Sequence, residues 1–441
     1  MDRRTVLATS GALAAAMLAG CIGENPSDGT PTETATPTET PTDQPPAGAP
    51  SVDDEQLAEL ATGNAAFALA LHTHLASESS ENLFLSPYSI SVALAMTYAG
   101  ARGETEEQMR ETLRYTLGED VHPAFATLQM ALDERSSTED PLEGDEVDAF
   151  QLAVANALWG REGYSFDEAY LALLEEYYGA GLERADFVGD PEGERERIND
   201  WVAERTEDRI EDLLPRGSID PNVVLVLTNA IYFMASWLQE FDPSDTVDGT
   251  FTALDGTEST VPMMHQHLRT NYASVPGAEA VELPYVGEEV SMVLVLPDEG
   301  EFESFESDLD AETLFGIFEA LGDASGDLAM PQFEFETEVQ LSEVLADLGM
   351  PVAFDGGADF GGMIEGGGSG LWIDEVYHKS FVSVDEEGTE AAAATAVVMT
   401  ESAPPDWGEL RLDRPFIFCI RDRPTDAILF LGRVADASAA Q

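Results

Sequence analysis

Apolar positions recur near helical spacing through residues 54–76, at Leu57, Leu60, Ala61, Phe67, Leu71 and Leu75, which predicts an amphipathic helix. Residues 89–101 continue as a second, more apolar helix. Residues 104–117 read as a third, with acids in the first turn where the helix dipole favours them. Residues 151–159 alternate and read as a strand, and 167–178 and 195–213 return to helical spacing. Residues 223–233 form an unbroken run, Val-Val-Leu-Val-Leu-Thr-Asn-Ala-Ile-Tyr-Phe, as expected of a central strand buried on both faces. Residues 281–284 and 290–296 pair as strands around Gly287, 371–384 alternate, and 414–421 and 427–434 close the chain. Helices come first and strands dominate later. The predicted class is α+β, with helices on a large central, mostly antiparallel sheet and smaller sheets beside it.

The first fifty residues stand outside this pattern. Arg3 and Arg4 precede an apolar stretch of small residues, 6–19, too short to span a bilayer comfortably. It reads as a signal peptide of the twin-arginine type. Leu18-Ala19-Gly20-Cys21 resembles a lipobox, which makes Cys21 the expected lipid attachment point; the alternative is a signal peptide with an incidental cysteine. Residues 22–50 carry Pro31-Thr32-Glu33-Thr34 and Pro37-Thr38-Glu39-Thr40, a Thr/Pro-rich composition that reads as an extended stalk. The expected division is an export segment over 1–21, a linker over 22–50 and one folded domain over 51–441. The expected location is extracellular, as a membrane-anchored lipoprotein or a secreted protein.

Charge narrows the partners. Asp and Glu number 86 against 20 Lys and Arg, for a formal charge of -66, and Lys379 is the single lysine. Such a field opposes binding to nucleic acid or to an anionic membrane, so contact with the membrane is expected only through the N-terminal lipid. Spread over the whole chain, it reads as a solvated acidic surface suited to high salt, where screening shrinks the self-repulsion, and fits a halophilic source. With Cys21 in the export segment, Cys419 is left alone in an apolar run and reads as a buried small hydrophobe. His72 with His74 and His265 with His267 are the only histidine pairs that suggest a metal, and no carboxylate motif supports either. No Gly-x-Ser-x-Gly occurs, so hydrolase chemistry has no anchor. No metal and no cofactor is expected, and no enzymatic activity.

Several segments, in matching order, resemble the serpin family. They are Asn82-Leu83-Phe84-Leu85-Ser86-Pro87-Tyr88-Ser89-Ile90, Ile198-Asn199-Asp200-Trp201-Val202 and Leu227-Thr228-Asn229-Ala230-Ile231-Tyr232-Phe233 followed by Trp237. Val261-Pro262-Met263-Met264, Leu296-Pro297-Asp298 and the run from His378-Lys379-Ser380-Phe381 through Glu386-Glu387-Gly388-Thr389-Glu390 follow. Asp413-Arg414-Pro415-Phe416 and Phe430-Leu431-Gly432-Arg433-Val434 end the series. The resemblance implies a serpin-like fold with an exposed reactive-centre loop, in an inhibitory, haloarchaeal-like lipoprotein form. A target protease would cut the loop, become trapped as an acyl-enzyme, and be carried off as the loop inserts into the central sheet.

The residues of the loop suit that use. As a strand, side chains alternate faces. Thr389, Ala391, Ala393 and Thr395 would point one way, and Glu390, Ala392, Ala394 and Ala396 the other. The first set holds no charge and nothing large, so it fits a packed interior, and Gly388 permits the backbone swing. An Ala-rich helix or a flexible tether is the alternative for this composition. The resemblance assigns a hinge to Glu386, Glu387, Gly388, Thr389, Glu390, Ala391, Ala392, Ala393, Ala394 and Thr395. It assigns a polar shutter beneath the central strands to Ser86, Ser89, Asn229 and His378, and a breach where the loop enters to Trp237. Gln332 stands where many family members have a lysine that pairs with the hinge glutamate, here Glu386. Family spacing from Gly388 puts the reactive bond between Ser402 and Ala403, with Thr400 and Met399 as alternates. Small or apolar residues there point to a subtilisin-, chymotrypsin- or elastase-like serine protease as partner, met by a monomer. A non-inhibitory binding protein or chaperone on the same fold is the second reading.

Overall fold

The computed structural model describes residues 51–139, 146–179, 181–368, 370–389 and 404–440. Helix Asp54–Glu78 opens on a capping box: Asp53 accepts from the Gln56 amide while the Gln56 side chain accepts from the Asp53 amide. Helix Pro87–Tyr98 is capped by Ser86, with proline at its first position where no amide bond is lost. Helices Gly103–Thr112, Val121–Arg135 and Glu168–Tyr178 pack around it, and Val121–Arg135 was not anticipated from the sequence. The expected helix over 195–213 runs instead over Pro191–Arg205. Asp190 caps it and Pro191 starts it, while Glu207 and Asp208 turn left-handed (φ 52° and 62°) and end it. The third helix stops at Thr112 rather than 117, with Arg114 left-handed just beyond.

Two large sheets form the body. The nine-stranded one runs Leu83–Leu85, Ala427–Val434, Phe416–Asp422, Val290–Pro297, Ala278–Pro284, Glu258–Val275, Gly322–Pro331, Asp406–Arg411, with Val247–Thr252 also on Glu258–Val275. The six-stranded one runs Phe333–Gln340, Glu375–Val384, Gly388–Thr389, Leu225–Ser236, Gln151–Arg161, Leu182–Ala185. The expected α+β serpin-like class holds, and both sheets are mostly antiparallel but mixed: in the nine-stranded one Gly322–Pro331 lies parallel to Asp406–Arg411. In the six-stranded one Glu375–Val384 lies parallel to Leu225–Ser236, and Gln151–Arg161 parallel to Leu182–Ala185.

Leu225–Ser236 is buried on both faces, as its apolar run requires. Leu225, Leu227, Ile231, Phe233 and Ala235 join the main core with the helices and the nine-stranded sheet. Val226 and Ala230 face a second cluster with Ile198 and Val202 of helix Pro191–Arg205. Among the described residues no helix is long and apolar enough to cross a membrane, and no group of three or more His, Cys, Asp or Glu is placed to hold a metal ion.

Candidate functional site

The site is a seam. Leu225–Ser236 and Glu375–Val384 pair directly and in parallel from Val226 opposite Glu375 to Tyr232 opposite Phe381. Above that point they part, and Gly388 and Thr389 sit between them. Gly388 pairs with Ser236, and Thr389 pairs with Ala235 on one side and Val384 on the other, both antiparallel. The chain reaches this wedge through a tight turn: the Asp385 amide donates to the Gly388 carbonyl at 3.0 Å, and the Asp385 carboxylate takes the Glu387 and Gly388 amides. Thr389 is buried, and its hydroxyl lies 2.8 Å from the Tyr285 hydroxyl. That orientation settles which way the odd-numbered hinge residue faces: into the core between the sheets.

Trp237 fixes the turn from the other strand. Its backbone amide donates to the Glu387 carbonyl at 2.9 Å and its indole N–H to the Asp385 carbonyl at 3.0 Å, while the ring stacks on Tyr285 at 4.6 Å. Glu386, in the middle of the turn, is held by two neutral donors: Gln332 Nε2 at 2.6 Å and Thr246 Oγ1 at 2.5 Å. Gln332 thus stands beside the hinge glutamate with a charge-assisted hydrogen bond and no cation. The Phe241 amide closes the turn on the Glu386 carbonyl.

Midway down the seam lies a buried polar cluster. His378 and Asn229 are direct partners in the ladder, and His378 Nδ1–H donates to Asn229 Oδ1 at 2.5 Å. The Ser86 amide donates to His378 Nε2 at 3.3 Å, so the ring is neutral with its proton on Nδ1. Burial holds the imidazole down to about 3. Asn229 Nδ2 donates to Ser89 Oγ at 2.6 Å and to Asn156 Oδ1 at 2.5 Å, and Ser89 donates to Asn156 Oδ1 at 3.0 Å. Ser86 spends its hydroxyl on the Leu429 carbonyl and on capping its helix at the Ser89 amide. Of these bonds, the one from His378 to Asn229 crosses between the two seam strands, while those to Ser89 and Asn156 tie Asn229 on its own side.

The family profile described as "Serpin (serine protease inhibitor)" matches residues 62–437. The chain belongs to the serpin family. It is 39% identical to an uncharacterized serpin-like protein of Thermococcus kodakarensis, over 98% of each chain. It is 36% identical to antithrombin-III of Mus musculus, over 88% of this chain and 83% of that one. Among solved structures it superposes on the thermophilic serpin tengpin in its native state with a TM-score of 0.76, at 28% identity over 90% of this chain and 97% of that one. Uncleaved ovalbumin gives 0.75 at 26% identity over 86% and 100%, and thyroxine-binding globulin in complex with thyroxine gives 0.74 at 29% over 86% and 99%.

In this serpin Trp237, Gln332, Ser86, Ser89, Asn229, His378 and the turn from Glu386 to Thr389 are brought to one seam. Asn156, Tyr285, Thr246 and Asp385 belong with them and were not singled out from the sequence. Asn156 carried a usable signal, being a polar residue in an apolar alternating strand opposite Asn229. The other three reach the seam through long-range contacts that no local pattern announces. Glu390, Ala391, Ala392, Ala393, Ala394, Thr395, Met399, Thr400, Ser402, Ala403 and Cys21 lie outside the described residues. Cys419 is buried, and burial pushes its thiol up to about 12, which makes it unreactive. His72 pairs with buried Glu306, and His267 with Asp327.

Proposed function

We propose that this serpin is a suicide-substrate inhibitor of a serine protease with small or apolar specificity. The observation that carries the reading is the register of Gly388 and Thr389. Continued downward, the same antiparallel register sets Ala391 between Phe233 and Val382, Ala393 between Ile231 and Ser380, and Thr395 between Asn229 and His378. Ile231 with Ser380 and Asn229 with His378 are already level across the seam, so an entering strand needs the two strands to separate without sliding. All six flanking residues are buried. Small, uncharged residues at 391, 393 and 395 fit there, and Glu390 falls on the opposite face beside the half-buried Met234 and Ser383.

The protease serine attacks the carbonyl before the cut, the amine of the following residue leaves, and an ester joins the protease to the loop. The loop then inserts. A strand of about 14 residues at ~3.3 Å each moves the tethered protease on the order of 45 Å. Distortion of the protease's catalytic geometry stalls hydrolysis of the ester. Insertion exchanges one parallel ladder for two antiparallel ones, a net gain of about nine hydrogen bonds at ~1 kcal/mol each. That is comparable with the whole stability of a domain, which is what a one-way trap requires. The N-terminal residues support display outside the cell on a lipid at Cys21, checked by the mass of the N-terminal peptide.

The similarity to thyroxine-binding globulin favours a second reading, a binding protein on the same fold. One experiment separates them. The protein is incubated with a subtilisin-like protease, the cut is mapped by mass, and thermal midpoints are measured before and after. An inhibitor gives an SDS-stable adduct and a cleaved form that melts far higher. A cleaved form that melts no higher than the intact one refutes the inhibitory reading.

A further inference from the structure

Below its last ladder pair the seam is fastened by a side chain. The Asp374 amide donates to the Leu225 carbonyl at 2.9 Å. Asp374 Oδ2 accepts from two successive amides of the facing strand, Val224 at 2.5 Å and Leu225 at 3.1 Å. Asp374 Oδ1 takes the indole N–H of Trp372 at 3.1 Å, which orients the carboxylate. One charged oxygen therefore closes on two backbone donors across the very line that insertion must open. Hydrogen bonds to an ionised acceptor are roughly twice as strong as neutral ones. Parting them leaves amides that need new partners.

We infer that Asp374 is a positioning residue for insertion: it staples the lower end of the seam and sets the depth at which an entering strand halts. The inference rests on the insertion reading. In the register of Thr389, Val398 comes level with Val226 and Glu375, and Met399 comes level with Leu225 and Asp374. A strand entering as far as Val398 parts only ladder bonds. The next residue has to pull the carboxylate off Val224 and Leu225. A loop cut after Met399 therefore meets the staple with its last residue alone, while a loop cut after Thr400 or Ser402 must break it to bury the residues beyond. Burial, the largest cause, leaves the Asp374 carboxyl's pKa raised; the amides of Val224 and Leu225 and the Trp372 indole offset this only in part, and the like charge of Asp220 adds to it.

The test uses two synthetic peptides of this chain's own sequence, residues 391–398 and 391–402, added to the intact full-length protein. Uptake is followed by the rise in thermal midpoint with time. The wild type takes up the short peptide about tenfold to a hundredfold faster than the long one, the factor expected for two charge-assisted bonds partly replaced by water. Asp374→Ala erases the difference by accelerating the long peptide and leaving the short one unchanged. Asp374→Asn keeps an acceptor oxygen without the charge, falls between, and carries the test alone if the alanine variant does not fold. Equal acceleration of both peptides, or of neither, overturns the inference and leaves the insertion reading standing. If neither peptide raises the melting of the wild type, the insertion reading itself fails.

Discussion

A charge placed at Ala393 tests the trap more cleanly than one at Thr389. Thr389 is already buried between two strands in the intact protein, so Thr389→Arg would disturb the starting state as well as the product. Ala393 lies beyond the wedge and meets the core only after insertion, level with Ile231 and Ser380. Both are fully buried, and the Ser380 hydroxyl is committed to the Phe84 carbonyl, so no partner waits there for a guanidinium. An unpaired buried charge costs ~3–5 kcal/mol, a third to a half of the ~9 kcal/mol that the new ladders supply. If that cost is felt as the strand passes residue 393, insertion slows by about two to three orders of magnitude. Hydrolysis of the acyl-enzyme then wins, and Ala393→Arg becomes a substrate. The control is Glu390→Arg, a charge reversal on the outward face beside half-buried Met234 and Ser383. The assay counts inhibitor molecules consumed per protease inactivated, with the adduct read on denaturing gels. Wild-type stoichiometry in Ala393→Arg, or equal loss in both variants, refutes the facing deduced from Thr389.

Acid is expected to loosen the seam through His378, held near 3 against ~6.5 unfolded. A base whose folded pKa is depressed contributes fully above its unfolded value and loses that contribution as pH falls, here from about 6.5 toward about 3. Between pH 7 and pH 4 the loss is ~3 kcal/mol, and His122, held to about 4 by burial, acts with the same sign. The thermal midpoint should fall more steeply with acid in the wild type than in His378→Gln; identical slopes contradict the assignment. At the top of the seam, Gln332→Lys would replace a 2.6 Å neutral-donor bond to Glu386 with an ion pair. It should raise the intact protein's stability by ~1 kcal/mol, with slower uptake of the 391–398 peptide and less gain at high salt; a faster uptake would show that Gln332 holds the turn by other means.

How much of this was legible depends on how local each signal is. The central strand was plain because burial on both faces makes Leu225–Phe233 almost wholly apolar, with Thr228 and Asn229 its two polar positions and neither charged. Strand Glu258–Val275 was not, because it serves three partners in turn, Val247–Thr252, Gly322–Pro331 and Ala278–Pro284, so no single face stays buried along it. Helix Pro191–Arg205 had its start written in Asp190-Pro191, but its end depends on left-handed Glu207 and Asp208, residues whose type does not demand that conformation. Ser86, Ser89, Asn229, His378, Trp237 and Gln332 were legible through family resemblance in order and spacing. Asn156 had only the local signal of a polar residue in an apolar alternating strand; its place opposite Asn229 is a long-range pairing that the local pattern does not announce.

The seam's chemistry divides insertion into easy and hard steps. Each entering residue breaks one parallel pairing and makes two antiparallel ones, so most steps run downhill once the top is open. The top is open already, because Gly388 and Thr389 occupy the gap and the nucleus does not have to be built. Two levels interrupt the descent. At the first, Thr395 has to take the place of the His378–Asn229 bond, and a hydroxyl that both donates and accepts is suited to bridge the separated pair. At the second, no loop side chain can replace the Asp374 carboxylate without leaving Val224 and Leu225 to find acceptors in the new strand. On the insertion reading proposed above, the intact state would be held less by the number of bonds in the seam than by two side-chain fastenings at fixed depths. Inhibition and release should be decided by how fast the loop passes them relative to the hydrolysis of its ester.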